Sequence, residues 1–150
     1  MHKIASFGLL VILLAACSGQ SGVDRLVATN PEAYESGQQV YAQYCIACHG
    51  VNGDGQFPDA PLQKDETGRY GAPPHNEAGH TWHHDDDLLY QIVREGGMGN
   101  PEDFYPMPPF GELLSDVDIE SVLFYIKTLW TEEQRTTQAE RTRLIREQSD

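Results

Sequence analysis

Basic side chains are scarce in this 150-residue chain. Ten lysines and arginines stand against 23 aspartates and glutamates, for a formal net charge of −13. A nucleic-acid binder needs a basic stripe to displace counterions from phosphates, so that class is excluded. No apolar run is long enough to cross a bilayer. The run from Ile4 to Ala16 has 13 residues, against about 20 for a spanning helix. Strand patterning is lacking as well. From Gly50 to Gly111 no segment alternates convincingly, although this stretch holds 10 of the 14 glycines and 8 of the 9 prolines. Loops of that composition bury little apolar surface by themselves, and they need something else to supply a core. Cysteine occurs three times, so each one requires its own account.

The apolar run follows a short basic end, Met1-His2-Lys3, and has the length of a signal-peptide core. It closes in Leu14-Ala15-Ala16-Cys17, which resembles the bacterial lipobox. That resemblance implies cleavage after residue 16 and acylation of Cys17, and several acyl chains on one residue give stable anchoring. Residues 17–30 are Ser/Gly-rich without a strong pattern and read as a flexible tether. The domain then begins at Asn30-Pro31-Glu32, with Asn as helix cap, Pro in the first turn and Glu at the positive dipole end. Ala33, Gly37, Val40, Tyr41 and Tyr44 recur at helical spacing behind it. Asp85-Asp86-Asp87 opens a short helix that stops at Gly96-Gly97. Ser115 to Trp130 reads as the most regular helix, with an apolar stripe of Ile119, Val122, Leu123, Ile126 and Leu129. Residues 131–150 read as a charged tail, helical or frayed and solvated, with a docking role for a partner as the lesser reading.

The other two cysteines lie in Cys45-Ile46-Ala47-Cys48-His49. Cys-x-x-Cys-His is the attachment pattern of c-type haem. Each thiol adds to one porphyrin vinyl group, and the adjacent imidazole lies under the macrocycle as proximal iron ligand. A thioredoxin-like pair would follow a strand, and none precedes Cys45. A zinc site would need a second ligand pair, and the sequence has no second Cys-x-x-Cys.

Gly37-x-x-x-Tyr41-x-x-x-Cys45-x-x-Cys48-His49-Gly50 resembles the first helix and haem site of class I cytochromes c. Tyr105-Pro106-Met107-Pro108-Pro109-Phe110 resembles their axial-methionine loop, and Leu114 to Trp130 their C-terminal helix. The resemblance covers residues 31–130. It implies an all-α cytochrome c fold, helices and loops wrapped around one covalent haem c, with Gly37 crossing against Tyr125. It implies Met107 as distal ligand, with Met98 in Gly96-Gly97-Met98-Gly99 as the rival. It also implies Pro61 as the residue whose carbonyl orients the His49 ring.

His75, His80, His83 and His84 admit surface, cap or haem-propionate roles. A second metal at His80, His83 and His84 is the lesser alternative. The functional expectation is an exported, lipid-anchored, periplasmic electron carrier that is not itself an enzyme. Its donor and acceptor are redox proteins with basic docking surfaces. The alternatives are a haem-bearing subunit of a larger oxidoreductase, or a haem enzyme or gas sensor with a displaceable distal ligand.

Overall fold

The computed structural model describes residues 21–61 and 63–149. The leader (1–16) and Cys17 lie outside these residues. Among the described residues six α-helices occur, in the order α1 (Gly22–Thr29), α2 (Pro31–Val40), α3 (Ile46–His49), α4 (Asp86–Glu95), α5 (Asp116–Thr128) and α6 (Glu132–Ser149). A π-helical turn, Tyr41–Cys45, joins α2 to α3, and a 3₁₀ turn, Thr81–His83, precedes α4. Among the described residues β-structure amounts to two isolated bridges, Lys64 with Tyr70 and Tyr70 with Phe104. The fold is the all-α one expected.

Local chemistry sets the helix ends where the sequence places them. The Asn30 side chain accepts from the Ala33 amide, and Pro31 opens α2. Asp85 caps α4 through the Leu88 amide. Ser115 and Asp118 form a reciprocal capping box at α5. Each such cap satisfies a backbone donor that the helix cannot.

The core is built where α2 crosses α5. A Cβ on Gly37 would sit 2.0 Å from the Ser121 carbonyl oxygen and 2.9 Å from Tyr125 Cβ. No other residue lets the two backbones approach so closely, and the crossing expected at Tyr125 includes Ser121 as well. Tyr125 packs at 5.8 Å from Tyr34 and 5.2 Å from Tyr41, ring centre to ring centre. Val40, Tyr41, Leu89, Val93, Leu114, Ile119, Val122, Leu123, Ile126 and Trp130 complete one buried cluster.

Two flanking segments differ from the sequence reading. Within the supposed tether, residues 22–29 form α1. Ser21 and Asp24 make a capping box there, and α1 contacts both α2 and α5. The composition looked loop-like because the signal is a single cap and three apolar residues, Val23, Leu26 and Val27.

The charged tail is helical but docked rather than solvated. Gln138 in α6 is only 1% exposed, and Thr142 is buried beside it. Gln138 Nε2 donates to the His84 carbonyl (3.2 Å) and to Asp86 Oδ1 (2.6 Å), and the Asp86 amide donates to Thr142 Oγ1 (3.0 Å). Arg146 pairs with Asp87 at 2.7 Å, and Lys127 of α5 reaches Asp86 at 2.5 Å. The interface is polar, so an apolar stripe could not reveal it. Removing a partner from such a buried network leaves groups unsatisfied. Gln138→Ala should therefore cost about 2 kcal/mol in chemical denaturation, while Arg141→Ala, on the exposed side of α6, should be close to neutral.

Candidate functional site

Cys45, Cys48 and His49 are held by the end of the α2–α3 unit. The Ile46 amide bonds to the Tyr41 carbonyl across the π turn, and α3 ends at Gly50. The buried Tyr41 hydroxyl donates to the Gly50 carbonyl at 3.0 Å, which ties the end of the motif to its start. Both thiols are free, Cys45 half-buried and Cys48 exposed. Burial, then the neighbouring Cys48, pushes the Cys45 thiol up to about 11, so it rests as the neutral thiol at neutral pH.

The His49 ring is buried, and its Nδ1 lies 2.8 Å from the Pro73 carbonyl oxygen. A carbonyl only accepts, so Nδ1 carries the proton and the neutral ring keeps its lone pair on Nε2. Burial holds the ring below its usual pKa, with the Pro73 bond pulling the other way. A neutral imidazole with a fixed tautomer is the form that binds a metal.

Pro61 does not fill the orienting role expected of it; Pro73 does. The reason lies in the loop. Gly55 donates to the His49 carbonyl (2.8 Å), Gln56 to Ala72 (3.0 Å), and His75 and Asn76 both donate to Gly53. These bonds lay residues 72–76 alongside 53–56, directly over His49. Pro61 sits at a turn further along the loop. The tandem Pro73-Pro74 offered one sequence signal, since residues without an N–H leave their carbonyls to outside donors.

His75 was grouped with the other loop histidines, but it belongs to this site. Its ring stacks on His49 at 3.9 Å and 22°. His75 Nδ1 bonds Thr81 Oγ1 at 2.9 Å, and the Thr81 hydroxyl donates to the Pro74 carbonyl. Trp130 Nε1, at the end of α5, donates to the His75 carbonyl at 2.8 Å. Burial, and then the neighbouring imidazoles of His49 and His80, hold His75 well below the usual histidine range. His80 and His84 meet edge to face at 5.4 Å, and His83 lies against Trp82. Among the described residues no group of three or more His, Cys, Asp or Glu is arranged to hold a metal ion.

The two methionines differ in setting. Met107 is half-buried against the core cluster. Its carbonyl accepts from the Gly97 amide at 3.0 Å, and Phe110 and Gly111 donate to the Val93 and Arg94 carbonyls. The loop is thus tied to the end of α4. Met98 is 54% exposed. On the other flank, Tyr105 donates to Asp65 at 2.6 Å and Lys64 pairs with Asp103 at 2.6 Å. The Tyr105 and Thr67 hydroxyls draw Asp65 down to about 2, from an ordinary 3.8. A depressed carboxylate stabilises the fold above its ordinary value and loses that contribution as pH falls toward the lowered one. Protection factors of the Phe104 and Tyr105 amides, taken relative to the intrinsic exchange rate at each pH, should therefore fall between pH 4 and about 2, and Asp65→Asn should lower them at neutral pH.

Two thiols three residues apart, an imidazole with its second nitrogen open, and a thioether on a tied loop suit a porphyrin held by covalent bonds. In an all-α fold they define a c-type cytochrome domain. A family model described as cytochrome c oxidase, cbb3-type, subunit III, matches residues 32–126. The chain belongs to this cytochrome family, and membership implies covalently bound haem c. It is also similar to the cbb3-type cytochrome c oxidase subunit CcoP of Azospirillum brasilense, at 29% identity over 102 residues. That match covers 68% of this chain, and the chain spans about 30% of that protein's length. No solved structure matches. Residues 32–126 are a haem-bearing electron-transfer domain of this family.

Proposed function

We propose that the chain is an exported single-haem cytochrome, anchored by acyl groups on Cys17, that passes one electron at a time between redox proteins. The observation that carries this reading is the fixed tautomer of His49 beside two free thiols on the same turn. In it, Cys45 and Cys48 would hold the group through thioethers, and His49 Nε2 and the Met107 sulfur would hold its iron. The bound group supplies an iron centre that cycles between two oxidation states. The chain holds its ligands still: the Pro73 carbonyl fixes the imidazole and the bonds to Gly97, Val93 and Arg94 fix the methionine loop. Rigid ligands keep reorganisation small. His49 and Met107 would both be needed to hold the iron, which disfavours the enzyme and gas-sensor readings.

A subunit role within a larger oxidoreductase is the second reading. It is favoured by the similarity to a protein named as an oxidase subunit. Among the described residues no helix is long and apolar enough to cross a membrane, so attachment through Cys17 is part of the proposal.

The test is chemical. Acid-denatured holoprotein should keep its colour through extraction with organic solvent, and Cys45→Ala/Cys48→Ala should lose it. Pigment that leaves the unsubstituted chain would end the proposal. The acidic surface gives a second check. Electron transfer with a basic partner should slow as salt is added, because attraction between exposed charges is screened beyond about 10 Å at 0.1 M.

A further inference from the structure

Charge is unevenly spread over this molecule. Between residues 31 and 130 there are 17 acidic and four basic side chains, a net charge of −13. Helices α1 and α6 together carry five acidic side chains and five arginines, and are neutral. They also meet. The start of α1 lies against the first turn of α6: Gly22 Cα carries no side chain, and a Cβ there would lie 2.8 Å from Glu132 Oε2 and 3.1 Å from Arg135 Nη2, the far ends of two flexible side chains. Arg25 reaches Glu132 at 3.6 Å. Between the helices runs an open groove of about 630 Å³, whose walls include Leu26, Ala139, Arg25, Arg135 and Arg143. Glu132 and Glu140 also line it, and Arg143 is forked between Glu140 and Glu147 at 2.6 Å each, so the face as a whole is neutral.

We propose that this α1/α6 face is the surface on which the protein lies against an anionic lipid bilayer, with Arg25, Arg135 and Arg143 at the level of the headgroup phosphates. The proposal rests on the reading of Cys17 as the acylated residue. Ser21 caps α1 and follows Cys17 by four residues, a link that spans at most about 14 Å even when fully extended. Acyl chains at Cys17 therefore keep the start of α1 close to the interface, and α6 with it.

Charge then selects the orientation. A surface potential of about −30 mV repels the −13 domain, whereas on the neutral α1/α6 edge the pull on each arginine, roughly 1 kcal/mol, offsets the push on each carboxylate. The neutral edge turns inward and the acidic body outward. Arginine suits the contact, because its stem lies along apolar surface while its planar head forks onto phosphate oxygens. A basic protein partner would be drawn to the acidic body instead, so the two surfaces do not compete.

Arginine modification reads this directly. Full-length holoprotein is reconstituted in vesicles of phosphatidylcholine alone and of phosphatidylcholine with about one third phosphatidylglycerol, then treated with phenylglyoxal and mapped by mass spectrometry. Arg25 and Arg143 should react about fivefold more slowly on the anionic vesicles, with Arg69 and Arg94 unchanged as internal references. Arg25→Gln should restore part of the Arg143 reactivity, and Arg143→Gln part of that of Arg25. Both side chains are largely exposed, so neither substitution threatens folding.

Equal reactivity on both vesicles would overturn the docking proposal and leave the anchor standing. A Cys17 peptide without acyl mass would overturn the anchor reading, and the proposal with it. Protection that appears only when another membrane protein is added would make this face a protein contact and overturn the lipid assignment.

Discussion

Met107→Ala should abolish the near-red methionine–iron absorption band and lower the reduction potential by an amount on the order of 100 mV. Axial ligands shift haem potentials over about 0.8 V, and a soft, neutral thioether favours ferrous iron. Met98→Ala should leave both the band and the potential in place. The structural basis is the difference in tethering. Met107 is half-buried, and its carbonyl is held by Gly97, whereas Met98 is exposed. A band that survives Met107→Ala and disappears in Met98→Ala would reverse the ligand assignment.

The second large effect is expected from the helix crossing. Gly37→Ala places a methyl group 2.0 Å from the Ser121 carbonyl oxygen and 2.6 Å from its carbon. Backbone atoms cannot rotate aside as a flexible side chain can, so α2 and α5 must separate. Overpacking of this kind costs typically 1–3 kcal/mol and occasionally more. A fall in Tm of about 10 °C is expected for a domain of this size. The strain would also reach the site, because α2 runs through Tyr41 into Cys45–His49. Gly68→Ala isolates the other cost of replacing a glycine, since nothing lies within 4 Å of the added atom and the loss, about 1–2 kcal/mol, comes from the positive φ of 80° alone.

Three helices, the crossing and the cysteine–histidine turn were legible because each rests on short-range rules. Asn30-Pro31, Asp85 and Ser115 announce helix starts through caps that act within three residues. Gly37 announced a close approach because it costs stability in any other helical setting. Pro73 was not legible. Its partnership with His49 spans 24 residues and is fixed by backbone bonds between two irregular segments, which no periodicity reports. Pro61, which resembles the family's orienting proline, took its place in the sequence reading for want of that register. α6 was read as solvated for a different reason. It buries amide and hydroxyl groups through Gln138 and Thr142, and a hydrophobicity pattern is blind to an interface made of polar atoms. His75 was misfiled because four histidines within ten residues look like one cluster, whereas the chain turns one of them inward onto His49 and leaves the others outside.

The π turn at Tyr41–Cys45 gives the molecule a frame-shift point. A π turn inserts one extra residue into an α-helix, and one residue corresponds to about 100° of rotation around the axis. Upstream, Gly37, Val40 and Tyr41 are phased to meet α5; downstream, Cys45, Cys48 and His49 are phased to a different direction. Because the turn absorbs that extra residue, deleting Ala42 would heal the helix with the thiols and the imidazole still aimed as they are, whereas tightening the turn to α geometry with every residue kept would swing them by roughly a quarter turn and misaim the cofactor cradle.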